Sequence, residues 1–195
     1  EVYAEGDDPA FCYKIVSGSA RAVKIMSDGR RQIYEFLLPG DFFGLEFLGS
    51  RSFSVEAVTD VIVMKYPRRS VEQLMQQDAG FAAEIQRITA RGLHSAYQRM
   101  LLLTHKSADE RMAWFLLDMA GRSRAAKDAA VHLEMSRTDI ADYLGMVIET
   151  VSRTLTRLKR TKVIAMWAGC STGVPMPSPI SSAPCSSSAA START

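Results

Sequence analysis

Three polar side chains near residue 150 have the types and the spacing to recognise base pairs. Glu149, Ser152 and Arg153 are three and four positions apart, so on an α-helix they share one face. A guanidinium donates twice to guanine, a carboxylate accepts from the amino group of cytosine, and a hydroxyl reaches a base or a phosphate. We expect phosphate contacts from Arg137, Thr150, Arg157, Lys159 and Arg160. The pattern predicts a helix that reads duplex DNA.

A helix-turn-helix over residues 137–159 would position these side chains. Gly145 follows a short amphipathic segment and is suited to end it, because glycine adopts left-handed backbone angles without strain. The small Ala141 lies four residues before this glycine, where two helices must cross closely. Val151 and Leu155 then supply the inner face of a second helix. This order is typical of the helix-turn-helix, in which the second helix enters the major groove.

The local charge agrees with this prediction although the total charge is small. The 195-residue chain has a formal net charge of only +3. Between residues 148 and 162, however, five positive residues accompany one negative residue. Such an excess supplies the salt-dependent attraction of DNA-binding proteins.

A second helical unit and a long helix precede the recognition segment. Ser107 with Glu110, and Ser136 with Asp139, fit capping boxes that begin new helices. Over residues 78–106 an apolar stripe at helical spacing predicts a long dimerisation helix. The alternative is a helix that packs only within its own chain. The predicted dimer contacts are Ile85, Ile88, Gly92, Ser95, Arg99 and Leu103.

The first 77 residues have the pattern of an antiparallel β-roll. Ser27-Asp28-Gly29 separates two extended runs, which is a strong hairpin signal, and Pro39-Gly40-Asp41 marks another turn. Many short strands with frequent turns favour a compact roll. We therefore predict an α+β protein: a β-roll over 1–77, the long helix over 78–106 and a helix-turn-helix domain over 107–166.

Composition limits the remaining possibilities. No apolar run reaches the ~18–20 residues that span a bilayer, and no secretion signal is evident, which favours a cytoplasmic protein. Three cysteines without a close pair indicate free thiols rather than a disulfide scaffold or a metal site. No phosphate-binding loop, nucleophile set or paired carboxylates indicate an enzyme. Residues 167–195 are rich in Ser, Ala and Pro, which predicts disorder.

These motifs together resemble the CRP/FNR superfamily of bacterial regulators over about residues 1–166. The resemblance lies in Gly6-Asp7, Val16-Ser17-Gly18, the segment Pro39-Gly40-Asp41-Phe42-Phe43-Gly44 and residues 140–153. It implies a cyclic-nucleotide-binding-like β-roll, a dimerisation helix and a C-terminal winged helix-turn-helix. It also implies a homodimer on a palindromic site and contact with RNA polymerase. After residue 165 the sequence departs from the family pattern, so the wing is expected to be atypical or truncated.

Sequence features distinguish between branches of that superfamily. The segment Arg51-Ser52-Phe53-Ser54 has Phe where cyclic-AMP binders have Ala beside their phosphate-binding arginine, and Met64 stands where the FNR branch has a central cluster cysteine. The chain therefore resembles the cofactor-free FixK type, which implies no cofactor, a TTGAT-type half-site and activation of low-oxygen or nitrogen-fixation genes. A haem-sensing relative with His94 as ligand is the weaker alternative.

Val147 is a second departure, because the family usually has Ser or Thr there to cap the recognition helix. With the altered C-terminus it leaves a competing interpretation open: a ligand-binding dimer module with impaired DNA binding.

Overall fold

The computed structural model describes residues 1–46, 49–122, 131–164 and 173–174. The strands are β1 Phe11–Ser17, β2 Ala20–Ile25, β3 Arg31–Leu37, β4 Phe42–Phe43, β5 Ser54–Ala57, β6 Ile62–Pro67, β7 Val131–His132 and β8 Gly173–Val174. The helices are α1 Arg68–Gln77, α2 Ala79–His105, α3 Ala108–Arg122, α4 Arg137–Leu144 and α5 Ile148–Arg160.

The N-terminal strands form the predicted β-roll. Two antiparallel three-stranded sheets, in the orders β4-β1-β6 and β3-β2-β5, face each other. The expected hairpin joins β2 and β3 with Ile25 opposite Arg31, and Gly29 at its tip has a φ of 80°. Tyr13, Ile15 and Val55 are buried between the sheets.

The predicted long helix is α2, which has 27 residues. Asp78 separates it from α1 and begins it, because its extended backbone allows the carboxylate to accept hydrogen bonds from the backbone N–H groups of Gly80 and Phe81.

Both predicted capping boxes are confirmed. The hydroxyl of Ser107 accepts from the backbone N–H of Glu110, whose carboxylate accepts from the N–H of Ser107. Ser136 and Asp139 make the same reciprocal pair at the start of α4. α4 ends as expected at Gly145, which has a φ of 61° in the left-handed region.

The segment predicted to be disordered contains one ordered pairing. Gly173 and Val174 pair antiparallel with His132 and Val131, so β7 and β8 form a two-stranded sheet. The remainder of residues 167–195, where disorder and an atypical wing were predicted, lies outside the described residues.

One apolar core connects the β-roll to the helix-turn-helix. Val23, Ile33 and Phe36 of β2 and β3 belong to the same buried cluster as residues of α3, α4 and α5. The ring of Phe36 lies 5.0 Å from that of Tyr143 and 6.1 Å from that of Phe115, measured between centroids. The helix-turn-helix is therefore packed directly on the β-roll.

No helix among the described residues combines the length and the apolar character needed to cross a membrane.

The start of α5 leads to a stability prediction. Val147 at its N-cap has extended backbone angles but no side-chain hydrogen bond, and its side chain is 63% exposed. Val147→Ser should raise the free energy of unfolding by about 0.5–2 kcal/mol, because the hydroxyl would accept from a free N–H of the first turn. Urea unfolding measures the change.

Val163→Ser is the matched control, since Val163 is 51% exposed and lies after the end of α5, not at the N-cap of a helix. A change within about 0.5 kcal/mol is expected there. An equal gain in both variants would show that reduced apolar exposure, and not capping, causes the effect.

Candidate nucleic-acid interface

Helix α5 presents the three predicted base-reading residues on one face. α5 buries Val151 and Leu155 on the opposite side. Glu149 and Arg153 are exposed and Ser152 is half-buried. All three lie within the first two turns of α5, the part that reaches base edges when such a helix enters a groove. The geometry thus brings a carboxylate, a hydroxyl and a guanidinium to one surface.

The turn before α5 is held in place by Arg111 of α3. Its Nη1 donates to the carbonyl oxygens of Leu144 at 3.1 Å and Gly145 at 3.4 Å. Its Nη2 donates to the carbonyl of Leu103 at 2.7 Å, and its Nε to that of Lys106 at 3.0 Å. One guanidinium thereby satisfies carbonyls at the C-terminal ends of both α2 and α4, where a positive charge is favoured.

Sequence reasoning missed Arg111. The signal present in the sequence was its place in the first turn of α3, four residues after Ser107. Its four acceptors are carbonyl oxygens from two other parts of the chain, and periodicity carries no information on such contacts.

The predicted phosphate ligands differ in their surroundings. Lys159 and Arg160 are exposed at the end of α5, and Thr150 is half-buried. Arg137 Nη1 donates to Ser152 Oγ at 3.3 Å, which links the first residue of α4 to the reading face. Arg157 forms an ion pair with Asp109 of α3, so its charge is partly engaged within the chain.

The predicted dimer contacts do not all lie on the free side of α2. Ile85 and Arg99 are only 3% and 5% exposed within their own chain. Ile88, Ser95 and Leu103 are half-buried and Gly92 is exposed.

Arg99 is engaged inside the chain. Its Nη1 donates to the carbonyl of Tyr34 and, at 3.2 Å, to the hydroxyl of Tyr143. Burial raises the pKa of the Tyr143 phenol, so this hydroxyl stays protonated. Arg99 thus joins α2 to β3 and α4.

A different set of apolar residues on α2 is exposed. Its members recur at helical spacing and are 49–56% exposed: Leu93, Tyr97, Met100 and Leu101.

Comparisons with known proteins agree with this geometry. Residues 1–78 match the model of the cyclic nucleotide-binding domain, and residues 110–173 match that of the Crp-like helix-turn-helix domain. The chain belongs to the CRP/FNR family of DNA-binding transcription regulators.

Within that family the chain is FixK-like. It is 39% identical over 166 residues to the nitrogen fixation regulation protein FixK of Rhizobium meliloti, covering 85% of this chain and 74% of that protein. It is 41% identical over 170 residues to FixK of Bradyrhizobium diazoefficiens, covering 86% and 72%. The structure of FixK2 from Bradyrhizobium japonicum superposes with a TM-score of 0.84 at 40% identity, covering 90% of this chain and 87% of that one.

The residues present do not fit a cyclic nucleotide, which the first domain's family would imply. Arg51, the cation available for a phosphate, is 2% exposed. Its Nη1 donates to Glu46 Oε2 at 2.8 Å, its Nη2 donates to the carbonyl of Phe11, and its guanidinium lies 4.3 Å from the centroid of the Tyr3 ring. Phe53 stacks on another ring, that of Tyr34, beside a cavity of about 350 Å³ below α2. The arginine is thus a structural ion-pair partner.

His94, the ligand of the weaker haem-sensing alternative, is exposed on α2. Among the described residues, no group of three or more His, Cys, Asp or Glu side chains is placed to hold a metal ion.

The turn glycine gives a second prediction. Gly145→Ala should lower the free energy of unfolding by about 1–2 kcal/mol, because an L side chain resists the left-handed backbone. The added Cβ would meet Leu103 Cδ2 at 3.4 Å and Arg111 Nη1 at 3.7 Å, which are ordinary contact distances, so the backbone conformation dominates the loss. Thermal unfolding measures it.

Gly145→Asn should cost less, since asparagine visits this conformation more readily. Gly121→Ala is the control: that glycine lies in α3 with open space around it, and the change should stabilise the helix. Equal losses at positions 145 and 121 would contradict the backbone explanation.

Proposed function

We propose that this chain binds a TTGAT-N4-ATCAA-type palindrome as a homodimer, recruits RNA polymerase and activates low-oxygen or nitrogen-fixation genes. One observation carries the proposal: Glu149, Ser152 and Arg153 share the outward face of a helix whose other side is buried. Its similarity to proteins named for nitrogen fixation regulation supports the assignment of target genes.

Each reading residue has a distinct role in the proposed complex. Arg153 donates twice to guanine, Glu149 accepts from a cytosine amino group, and Ser152 bonds a base or phosphate. Arg137 both positions Ser152, through the 3.3 Å hydrogen bond, and contacts a phosphate. Lys159 and Arg160, with Thr150, are proposed as further phosphate ligands, and Arg157 contributes less because Asp109 shares its charge.

The homodimer is proposed to form along α2. In the absence of a partner, Leu93, Tyr97, Met100 and Leu101 expose large apolar surfaces on one long helix. Two such helices packed together would bury these side chains, and the exposed Gly92 would allow close approach. Ile88, Ser95 and Leu103 flank this surface, whereas Ile85 and Arg99 support the helix from its own chain.

A binding titration tests base reading. In gel shifts with the palindromic duplex, Arg153→Ala should lose about 1–3 kcal/mol, or 5- to 150-fold in affinity, because its bidentate contact with guanine is removed. Lys159→Ala should weaken binding to all sequences equally and reduce the slope of log affinity against log salt by about 1.

Arg30→Ala is the control, because its guanidinium is 84% exposed in the β2–β3 turn and, within the part of the chain that the structure describes, its ion pair is with Asp28. It should bind as the unaltered protein does. If the unaltered chain shows no preference for the palindrome over scrambled DNA, the competing ligand-binding module is favoured.

Sedimentation tests the dimer. Tyr97→Asp should weaken association by about 2 kcal/mol or more, because a charge would be desolvated at the centre of the interface. Leu117→Asp changes a residue of α3 that is 65% exposed and should leave association intact. Equal effects of the two substitutions would exclude α2 as the interface.

A further inference from the structure

Two arginines of the β-roll reach across to the first helix of the helix-turn-helix. Arg21 of β2 donates through Nη1 to Asp139 Oδ1 at 2.7 Å. Arg31 of β3 donates through Nη2 to the same oxygen at 2.7 Å, and through Nε to Asp142 Oδ2 at 2.8 Å. We name these four residues the clasp.

The clasp is built into both domains. Nε and Nη2 of Arg21 also donate to Glu56 Oε2, at 3.0 and 2.8 Å, which anchors this arginine to the neighbouring strand β5. The Asp139 side chain is only 5% exposed, and its other oxygen accepts from Ser136 in the capping box. The carboxylate of Asp139 therefore takes part in the capping box that begins α4 and also accepts hydrogen bonds from both arginines.

A neighbouring hydrogen bond strengthens the same junction. Gln32 Nε2, beside Arg31, donates to the backbone carbonyl of Asp142 at 2.6 Å. The contact of Phe36 with Tyr143 lies in the same junction between β3 and α4. Ion pairs in such a partly buried junction restrict the orientation of the two domains, because a planar guanidinium forms two hydrogen bonds only with acceptors in a narrow range of positions.

We propose that Arg21 and Arg31 are positioning residues for DNA recognition, which fix the orientation of α4, and with it α5, relative to the β-roll. In a dimer, the distance between the two α5 helices depends on how each helix-turn-helix is oriented relative to its own β-roll and α2. The clasp therefore sets which spacing between half-sites the protein accepts, through residues that touch no base. This inference rests on the proposed function.

The test compares spacer lengths using the full chain. The variant Arg21→Gln/Arg31→Gln keeps Asp139 as the partner of Ser136 in the capping box but removes both charges that hold it. Binding is measured to a single TTGAT half-site and to palindromes with spacers of three, four, five and six base pairs. Arg30→Gln, one residue from Arg31 and paired with the exposed Asp28, is the matched control.

The expected result separates positioning from folding. Affinity for the half-site should stay within about twofold, since α5 is intact, while the preference for the four-base-pair spacer should fall about tenfold, as expected for a loss of coupling between contacting groups. Arg30→Gln should keep the full preference. The reversed pair Arg31→Asp/Asp142→Arg should recover much of the preference that Arg31→Asp alone removes. An unchanged spacing preference, or an equal loss on half-site and palindrome, would overturn the inference.

A measurement without DNA keeps failure of this inference distinguishable from failure of the proposed function. Hydrogen exchange followed by mass spectrometry should show faster exchange of the α4 and β3 amides in the double glutamine variant, with α2 unchanged. Unaltered protection of α4 would refute the clasp even if the protein bound no DNA. Faster exchange in a protein without sequence preference would retain the clasp and reject the proposed function.

Discussion

The position of the helix-turn-helix on the β-roll depends on the hydrogen bonds that one almost wholly buried carboxylate accepts. Asp139 begins α4 by pairing with Ser136, and its remaining oxygen lies at the boundary with the β-roll. A buried carboxylate without hydrogen-bond donors is strongly unfavourable. The position of α4 on the β-roll is therefore determined by where the β-roll supplies such donors. Arg21 and Arg31 supply them from two adjacent strands. The same carboxylate thus serves both the start of α4, the first helix of the helix-turn-helix, and the docking of the two domains.

Arginine has the same role at the other boundaries of the DNA-binding unit. Arg111 bonds carbonyls at the ends of α2 and α4, and Arg99 joins α2 to Tyr143. Arg122 at the end of α3 donates to Asp41 Oδ2 and to the carbonyl of Phe36, both at 2.6 Å. A planar group with five donors in fixed directions can satisfy more acceptors from several elements at once than the three-donor ammonium of a lysine. Some arginines of the chain therefore hold the domains together, whereas others remain exposed at the surface.

The first domain has the fold of a cyclic nucleotide-binding domain, but its buried arginine, Arg51, bonds groups of its own chain. Arg51 is enclosed by Glu46 and the ring of Tyr3 and is a structural part of the roll. The β-roll instead holds α2 and α4 in place, through the contacts of Arg99 with Tyr34 and of Arg21 and Arg31 with Asp139. This explains physically how a domain related to ligand sensors can serve a regulator whose residues do not fit that ligand.

The sequence by itself determined the elements and which polar side chains share the outward face of α5. Turn glycines such as Gly29 and Gly145, the two capping boxes and the spacing of Glu149 with Arg153 are local features, because each depends on residues only a few positions apart. The β-roll, the long helix and the helix-turn-helix were predictable for that reason.

Only the tertiary structure decided which polar groups meet across the chain. Arg21 and Asp139 are 118 positions apart, and no periodicity connects them. The same applies to the free face of α2: its apolar residues surround much of the helix, and packing against Tyr34 and Tyr143 determines that Arg99 is covered while Tyr97 is not. Long-range contacts depend on how the folded helices and strands pack together. That packing is determined by their shape and surface charge, which a sequence pattern does not contain.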